Sequence, residues 1–305
     1  MGTALISHPD CLLHDMGHSL PEIPERLRVI ENELVRSGLY NDMQKYIAPK
    51  ATREQLARVH QSDYIDYIFM SAPNQGTIPL DPDTWMNPHS LSAALHAAGA
   101  AILGVDLVMS GDVSAAYCNV RPPGHHAERK TAMGFCLFNN VAVGVAHALH
   151  QHNLARVAII DFDAHHGNGI EDIFKNNENV LYCSSFEHPF YPYSGADTKN
   201  PHIINIPLTA GSDGKVLRQK AEEFWFQAIE QFKPEMIFFS AGFDANDKDY
   251  MSDLLFSIED YAWITKEIMK IARSVCHGRV VSALEGGYAL ETLGHCVAAH
   301  VRELY

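Results

Sequence analysis

The stretch Arg156–Gly169, RVAIIDFDAHHGNG, decides how this chain is read. Its first half, Val157–Ile160, is a continuous apolar run rich in β-branched residues, the pattern of a strand covered on both faces. Its second half packs Asp161, Asp163, His165 and His166 into six residues. Carboxylates and imidazoles at the end of a buried strand are costly unless something neutralises them. Either they pair with one another, or a cation sits among them.

The same texture extends in both directions. Apolar runs at Thr3–Ser7, Ser114–Asn119, Val157–Phe162, Val180–Ser184, Ile203–Pro207, Met236–Ser240 and Arg279–Ala283 read as strands. Helical patterns lie between them, at Pro24–Ser37, Pro88–Met109, Asn140–His150, Lys215–Phe232, Ile258–Val275 and Leu290–Leu304. Pro24 and Pro88 fit first-turn positions, and Asp213 and Ser257 are candidate caps. The alternation predicts an α/β fold: a mainly parallel sheet wrapped by helices. No repeat or linker divides the chain, so residues 1–305 are read as one domain. Five polar segments follow strand ends: Arg121–Phe138, Asp161–Gly169, Phe186–Asn200, Gly242–Asp253 and Glu285–Ala289. Sites of open parallel sheets gather at the carboxyl ends of strands, so all five are expected to converge.

Composition narrows the function classes. A formal charge of −14 and the lack of any long basic run argue against a nucleic-acid partner. No apolar run is read as approaching the roughly 20 residues that span a bilayer, and no signal peptide is read at the N-terminus. The six cysteines are scattered without CxxC spacing and read as small hydrophobes of a reducing compartment, so the expected location is cytoplasmic.

Three elements carry chemistry. Asp163 and His165 are two apart at a strand end, which points both side chains the same way, and Asp244 in SAGFDAND ends another strand equivalently. One imidazole and two carboxylates suit a divalent cation with open positions for water and substrate, although either Asp alone also fits a cap or an ion pair. RPPGHHA, Arg121–Ala127, places His125 and His126 after a stiff Pro-Pro-Gly turn. Gly134–Asn140, GFCLFNN, continues that loop with residues too apolar to sit exposed. LEGGYAL, Leu284–Leu290, sets Tyr288 on a glycine hinge, where its hydroxyl can serve an oxyanion or simply pack.

In this order, RPPGHHA, GFCLFNN, DFDAHHGNG, SAGFDA and EGGY resemble the zinc-dependent histone deacetylase and acetylpolyamine amidohydrolase family, closest to its class II and bacterial branch. HDMGHSLPEIPERL, His14–Leu27, resembles the opening motif of the same family, so the likeness covers nearly the whole chain. The resemblance implies a single α/β domain with an eight-stranded parallel sheet. It implies Asp163, His165 and Asp244 as ligands of zinc, with iron as the other candidate. It implies His126 as general base and then acid, and His125 as its charge-stabilising neighbour oriented by Asp161. Tyr288 would polarise the scissile carbonyl. Phe135 and Tyr191 would flank the substrate methylenes, with Met251 on the wall and Gly134 and Gly287 offering backbone. A structural monovalent cation, potassium by family habit, is implied near Asp161, Asp163, His165, Ser184 and Ser185. Asn168 stands where class I members carry an Asp beside the base, which leaves the proton between His125 and His126 unassigned.

The expected activity is removal of acetyl, or another short acyl group, from lysine side chains of a peptide or protein. Acetylated polyamines are the alternative substrate. The short Ser71–Pro88 segment lacks the entrance insertion of that branch, and Asp81 or Asp83 at the rim would suit a cationic substrate of either kind. A binuclear ureohydrolase of the same fold is a more remote reading, because no extra ligands adjoin Asp163 and Asp244. A non-catalytic binding protein would be expected to lack one of the site residues. The oligomeric state is not legible.

Overall fold

The computed structural model describes residues 2–17 and 20–305; Met1, and His18 and Ser19 within the His14–Leu27 motif, lie outside the described residues. Ten strands occur among them: β1 Thr3–Ser7, β2 Gln44–Ile47, β3 Ile78–Pro79, β4 Trp85–Met86, β5 Ala115–Cys118, β6 Val157–Asp161, β7 Val180–Glu187, β8 Ile203–Leu208, β9 Met236–Ala241 and β10 Val280–Leu284. Eight form one all-parallel sheet in the order β2-β1-β5-β10-β9-β6-β7-β8. β3 and β4 pair as a small antiparallel ribbon. The chain is thus a single α/β domain with an eight-stranded parallel sheet between helices. β5, β6, β7, β9 and β10 are buried throughout, as their continuous apolar character requires.

Seven of the eight sheet strands coincide with the runs read from sequence. The eighth, β2, is an edge strand whose Gln44, Lys45 and Ile47 face solvent, so it carries no apolar run to find. The helix expected over Lys215–Phe232 is two helices, Gly214–Phe224 and Phe226–Phe232. The break falls at Trp225, whose fully buried indole donates to the Ile204 carbonyl at 3.1 Å and anchors the bend to β8. Asp213 caps the first of these through Lys215 and Val216 N–H, and Ser257 forms a capping box with Asp260. The helix Ser90–Ser110 corrects the expectation about apolar runs, being long and apolar enough to span a bilayer. Its apolar residues are instead buried against β5, β10 and the helix Asn140–Gln151, as in a core helix of a parallel-sheet domain.

Two features of the core position the site. Phe162, Phe239 and Phe243 meet the His300 ring edge-on and Tyr261 packs on Phe162 and Phe243, with ring centroids 5.1–5.9 Å apart across these contacts. His300 bridges Thr265 Oγ1 at 2.6 Å and Ser282 Oγ at 2.8 Å, and burial pushes its pKa down to about 3. This layer fixes the ends of β6 and β9, where Asp163 and Asp244 follow Phe162 and Phe243.

The second feature is ionic. Glu22, Arg26 and Arg121 have fully buried side chains. Arg121 donates to Glu22 Oε2 at 2.6 Å and to the Cys11, His14 and Glu22 carbonyls. Arg26 donates to Glu22 Oε1 at 2.9 Å, to the Gly287 carbonyl at 2.6 Å and to the Glu285 carbonyl. One carboxylate therefore ties the N-terminal segment to the loops after β5 and β10. Burial opposes the charge on Glu22, yet Arg121, His14 and Arg26 hold its carboxyl well below the ordinary carboxylate range.

Glu22→Gln leaves two guanidinium groups buried without their counter-charge, and is expected to cost about 3–5 kcal/mol in chemical denaturation at pH 7. Because the folded pKa is depressed, this contribution is present above the ordinary carboxylate pKa and is lost as pH falls through the folded value. The gap between wild type and variant therefore narrows in acid. A cost under about 1 kcal/mol at pH 7 would show the network to be dispensable.

Candidate active site

The five polar segments meet at the carboxyl edge of the sheet around a channel of about 380 Å³. His126, Gly134 and Phe135 come from the loop after β5, His165 from the loop after β6, and Phe190 and Tyr191 from the segment after β7. Tyr250 and Met251 follow β9, Tyr288 follows β10, and Leu20, Pro21 and Asp83 complete the lining. The walls are mostly apolar, with polar groups at His126, His165, Tyr288 and Asp83 among them.

Asp163, His165 and Asp244 form a tight buried group beside this channel. His165 Nδ1 lies 3.1 Å from Asp163 Oδ1 and 3.1 Å from Asp244 Oδ2. The remaining carboxylate oxygens are fixed by backbone: Gly286 N–H donates to Asp163 Oδ2 at 2.8 Å, and Ala164 N–H to Asp244 Oδ1 at 2.8 Å. A glycine is required at 286, since a Cβ there would lie 2.1 Å from Asp244 Oδ2 and 2.5 Å from Asp163 Oδ2. Burial and Asp163 push the Asp244 carboxyl up to about 6, while the neighbouring histidines hold Asp163 low against its burial. His165 is raised well above its usual value by Asp244 and Asp163, again against burial. These opposed shifts describe a site short of positive charge. One imidazole nitrogen and two carboxylate oxygens, backed by peptide N–H groups, fit a divalent cation.

His125 and His126 lie beside this group with ring centroids 4.0 Å apart, but face different partners. His125 Nδ1 donates to Asp161 Oδ2 at 3.2 Å, and its Nε2 sits 3.7 Å from Asp163 Oδ2. Burial works against its charge, yet Asp163 and Asp161 prevail and push its pKa up to about 10. His126 Nδ1 donates to Asn168 Oδ1 at 2.8 Å. Burial, then repulsion from His125 and His165, hold His126 well below its usual value, so it is the neutral imidazole of the pair. The shifts favour the charged form on His125 and the neutral form on His126. Tyr182 O–H supports Asp161 Oδ2 from below at 3.0 Å.

Tyr288 joins the lining from the loop after β10, with its ring 5.9 Å from Phe135 and the Arg26 guanidinium 4.8 Å from its centroid. Tyr191 packs edge-on to His126 and His165, at 5.3 and 6.1 Å. Phe135, Tyr191 and Met251 all face the channel. Gly134 lines it too; its N–H donates to Asp83 Oδ1 at 3.0 Å and its carbonyl takes the Cys136 thiol at 3.2 Å. Gly287 is the exception. It is outside the channel lining; its carbonyl accepts from Arg26 Nε at 2.6 Å, and a Cβ at this position would lie 2.7 Å from Leu293 Cδ1. In the implied monovalent site, Ser184 pairs in register with Asp161 across β6 and β7, Ser185 follows with a buried hydroxyl, and Asp163 and His165 continue from Asp161.

Sequence reasoning passed over several contributors. Glu285 was in plain view in the EGGY motif, and its buried carboxylate accepts Gly124 and His125 N–H at 2.6 and 3.0 Å. Burial pushes it up to about 7, with His125 acting the other way. Asp249 accepts Tyr288 and Ala289 N–H at 2.5 and 2.9 Å and Met251 N–H at 3.0 Å, so it sets both a wall and the Tyr288 backbone. Phe190, 5.6 Å from the His165 ring, looked like one more aromatic beside Tyr191.

A model of the histone deacetylase domain matches residues 20–304. A histone deacetylase-like amidohydrolase of Pseudomonas aeruginosa is 35% identical, over 94% of this chain and 77% of its own. Mouse polyamine deacetylase HDAC10 is 35% identical over 100% of this chain, which spans 48% of that longer protein. The crystal structure of the HDA15 HD domain superposes with a TM-score of 0.94 at 31% identity, covering 99% of this chain and 88% of the other.

Asp163→Ala is expected to reduce the divalent metal found by elemental analysis from about one ion per chain to a small fraction of that. Asp106→Asn, in the separate surface group of Asp106, His147 and His152, should leave it unchanged. The opposite pattern would move the metal away from the channel.

Proposed function

The chain belongs to the histone deacetylase family, and on that premise we propose that it is a zinc-dependent amidohydrolase removing acetyl, or another short acyl group, from the ε-amine of lysine. The observation that carries this reading is the conjunction of a two-carboxylate, one-imidazole pocket, a neutral buried imidazole and a phenol around one apolar-walled channel.

A divalent ion held by Asp163, His165 and Asp244 supplies Lewis acidity toward the scissile carbonyl and toward water. The residues of the chain divide the remaining work. His126 is neutral, so it takes the proton of the attacking water and later returns it to the departing amine. His125, hydrogen-bonded to Asp161 and 3.7 Å from Asp163, is biased toward its charged form and places that charge beside His126. Tyr288 donates its O–H to the carbonyl oxygen as negative charge grows there. Phe135 and Tyr191 exclude water and confine the methylenes of the substrate arm. A lysine arm presents only methylenes to the walls, and Phe190, Tyr191, Phe135 and Met251 suit it.

The HDAC10 relative is by name a polyamine deacetylase, so acetylated polyamines are the second reading. A polyamine carries an ammonium along its length, and Asp83 is the carboxylate in the described lining that could receive it. Part of that capacity is taken, since Asp83 Oδ1 already accepts from Gly134 N–H and Thr84 Oγ1. Acetyl-lysine peptides are therefore expected to show the higher kcat/KM in a panel that includes acetylated polyamines. The reverse order would transfer the assignment to polyamines.

Tyr288→Phe should lower kcat by about 10²–10³-fold while metal content and unfolding are unchanged. Full turnover in that variant would remove Tyr288 from the chemistry.

A further inference from the structure

The base histidine meets an amide, Asn168, and an amide is ambiguous: it presents an acceptor on one side and donors on the other. Flipped, Asn168 would donate to His126 Nδ1 and drive the imidazole proton to Nε2. The ring would then lack a lone pair on the nitrogen that a general base needs. Something must fix which way the amide lies.

Three contacts do so. Asn168 Nδ2 donates to Glu128 Oε1 at 2.9 Å and approaches Met133 Sδ at 3.3 Å. A carboxylate and a thioether only accept, so the amide nitrogen is committed to that side. Oδ1 is left for His126 Nδ1 at 2.8 Å, and an oxygen that only accepts requires the proton on Nδ1. We propose that Glu128 is a positioning residue that sets the tautomer of His126 through the side-chain amide of Asn168, keeping the Nε2 lone pair free for proton transfer. This rests on the reading of His126 as the general base.

The backbone is built for the relay. Glu128 lies two residues after His126, its carbonyl accepts from His60 Nδ1 at 2.9 Å, and its N–H donates to the Thr131 carbonyl at 3.0 Å. Asn168 opens the helix Asn168–Phe174, whose Gly169 and Ile170 N–H groups donate to the His125 carbonyl at 3.0 and 3.2 Å. Close approach is possible because residue 169 is glycine; a Cβ there would lie 2.3 Å from the Ala127 carbonyl oxygen. The helix start is thus pressed onto the loop that carries both His126 and Glu128, with Asn168 between them.

Donor and acceptor inversion tests the relay. Glu128→Lys replaces the acceptor by a donor, so the Asn168 amide must turn its oxygen outward and its nitrogen to His126. Expected is a fall in kcat of about a hundredfold or more with KM little changed. Nitrogen-15 and carbon-13 NMR of the histidine-labelled, zinc-loaded protein should show the His126 proton on Nδ1 in wild type and on Nε2 in this variant. Adding Asn168→Asp supplies an acceptor toward both neighbours, and should return the proton to Nδ1 and recover most of the lost kcat. Glu128→Gln, which keeps an acceptor, should stay near wild type. If Glu128→Lys does not fold, Glu128→Leu removes the acceptor alone and should give mixed tautomers and reduced kcat.

Wild-type kcat in the Lys or Leu variant would overturn the proposal. So would loss of turnover with the proton still on Nδ1, or failure of Asn168→Asp to recover it. Should wild type hydrolyse no acylated amine, the deacetylase reading falls, and the NMR comparison alone decides the role of Glu128.

Discussion

Two carboxylates, Asp163 and Asp244, lie side by side with almost no exposure at the ends of neighbouring strands, with a single imidazole between them. Like charges at this separation in a medium of low dielectric repel strongly, and the pair needs positive charge beside it. The opposed shifts of the pair express that constraint: one carboxyl is driven up and the other held down. A divalent ion would resolve it, and His126, His165 and Tyr288 line the channel beside that group.

The rest of the fold holds those charges still. β6 and β9 are hydrogen-bonded neighbours, so Asp163 and Asp244 approach each other through sheet register rather than through loop flexibility. An aromatic layer on His300 braces the strand ends from beneath, and Arg26 and Asp249 grip the Tyr288 loop by its carbonyl and N–H groups. The carbonyls of Glu285 and Gly287 and the Glu22 carboxylate share one pair of arginines. His125, His126 and Tyr288 are thus held on loops whose backbone is pinned by buried side chains.

Much of this was legible in the sequence because chemistry and topology coincide. Asp163, His165 and Asp244 stand directly after continuous apolar strands, and parallel sheets collect their sites at those ends. What escaped was of two kinds. β2 and the Trp225 break are set by tertiary context: an edge strand has no buried face to pattern, and one buried indole decides where a helix bends. The supporting polar residues escaped because their roles are long-range pairings. Arg26 finds Gly287, and Asp249 finds Tyr288, only after the chain has folded. The resemblance implied backbone contact at Gly287, and the Arg26 guanidinium that holds its carbonyl is a pairing of the same long-range kind. Glu128 was visible beside the histidines, yet nothing in its spacing revealed the amide 40 residues away.

Anomalous diffraction at the zinc edge, from crystals of the metal-loaded protein, tests the central constraint most directly. The account predicts one strong peak about 2.0–2.2 Å from His165 Nδ1 and from an oxygen each of Asp163 and Asp244. A map with no peak in that cage, or with zinc only at His8–Asp10–His96 or Asp106–His147–His152, would contradict it.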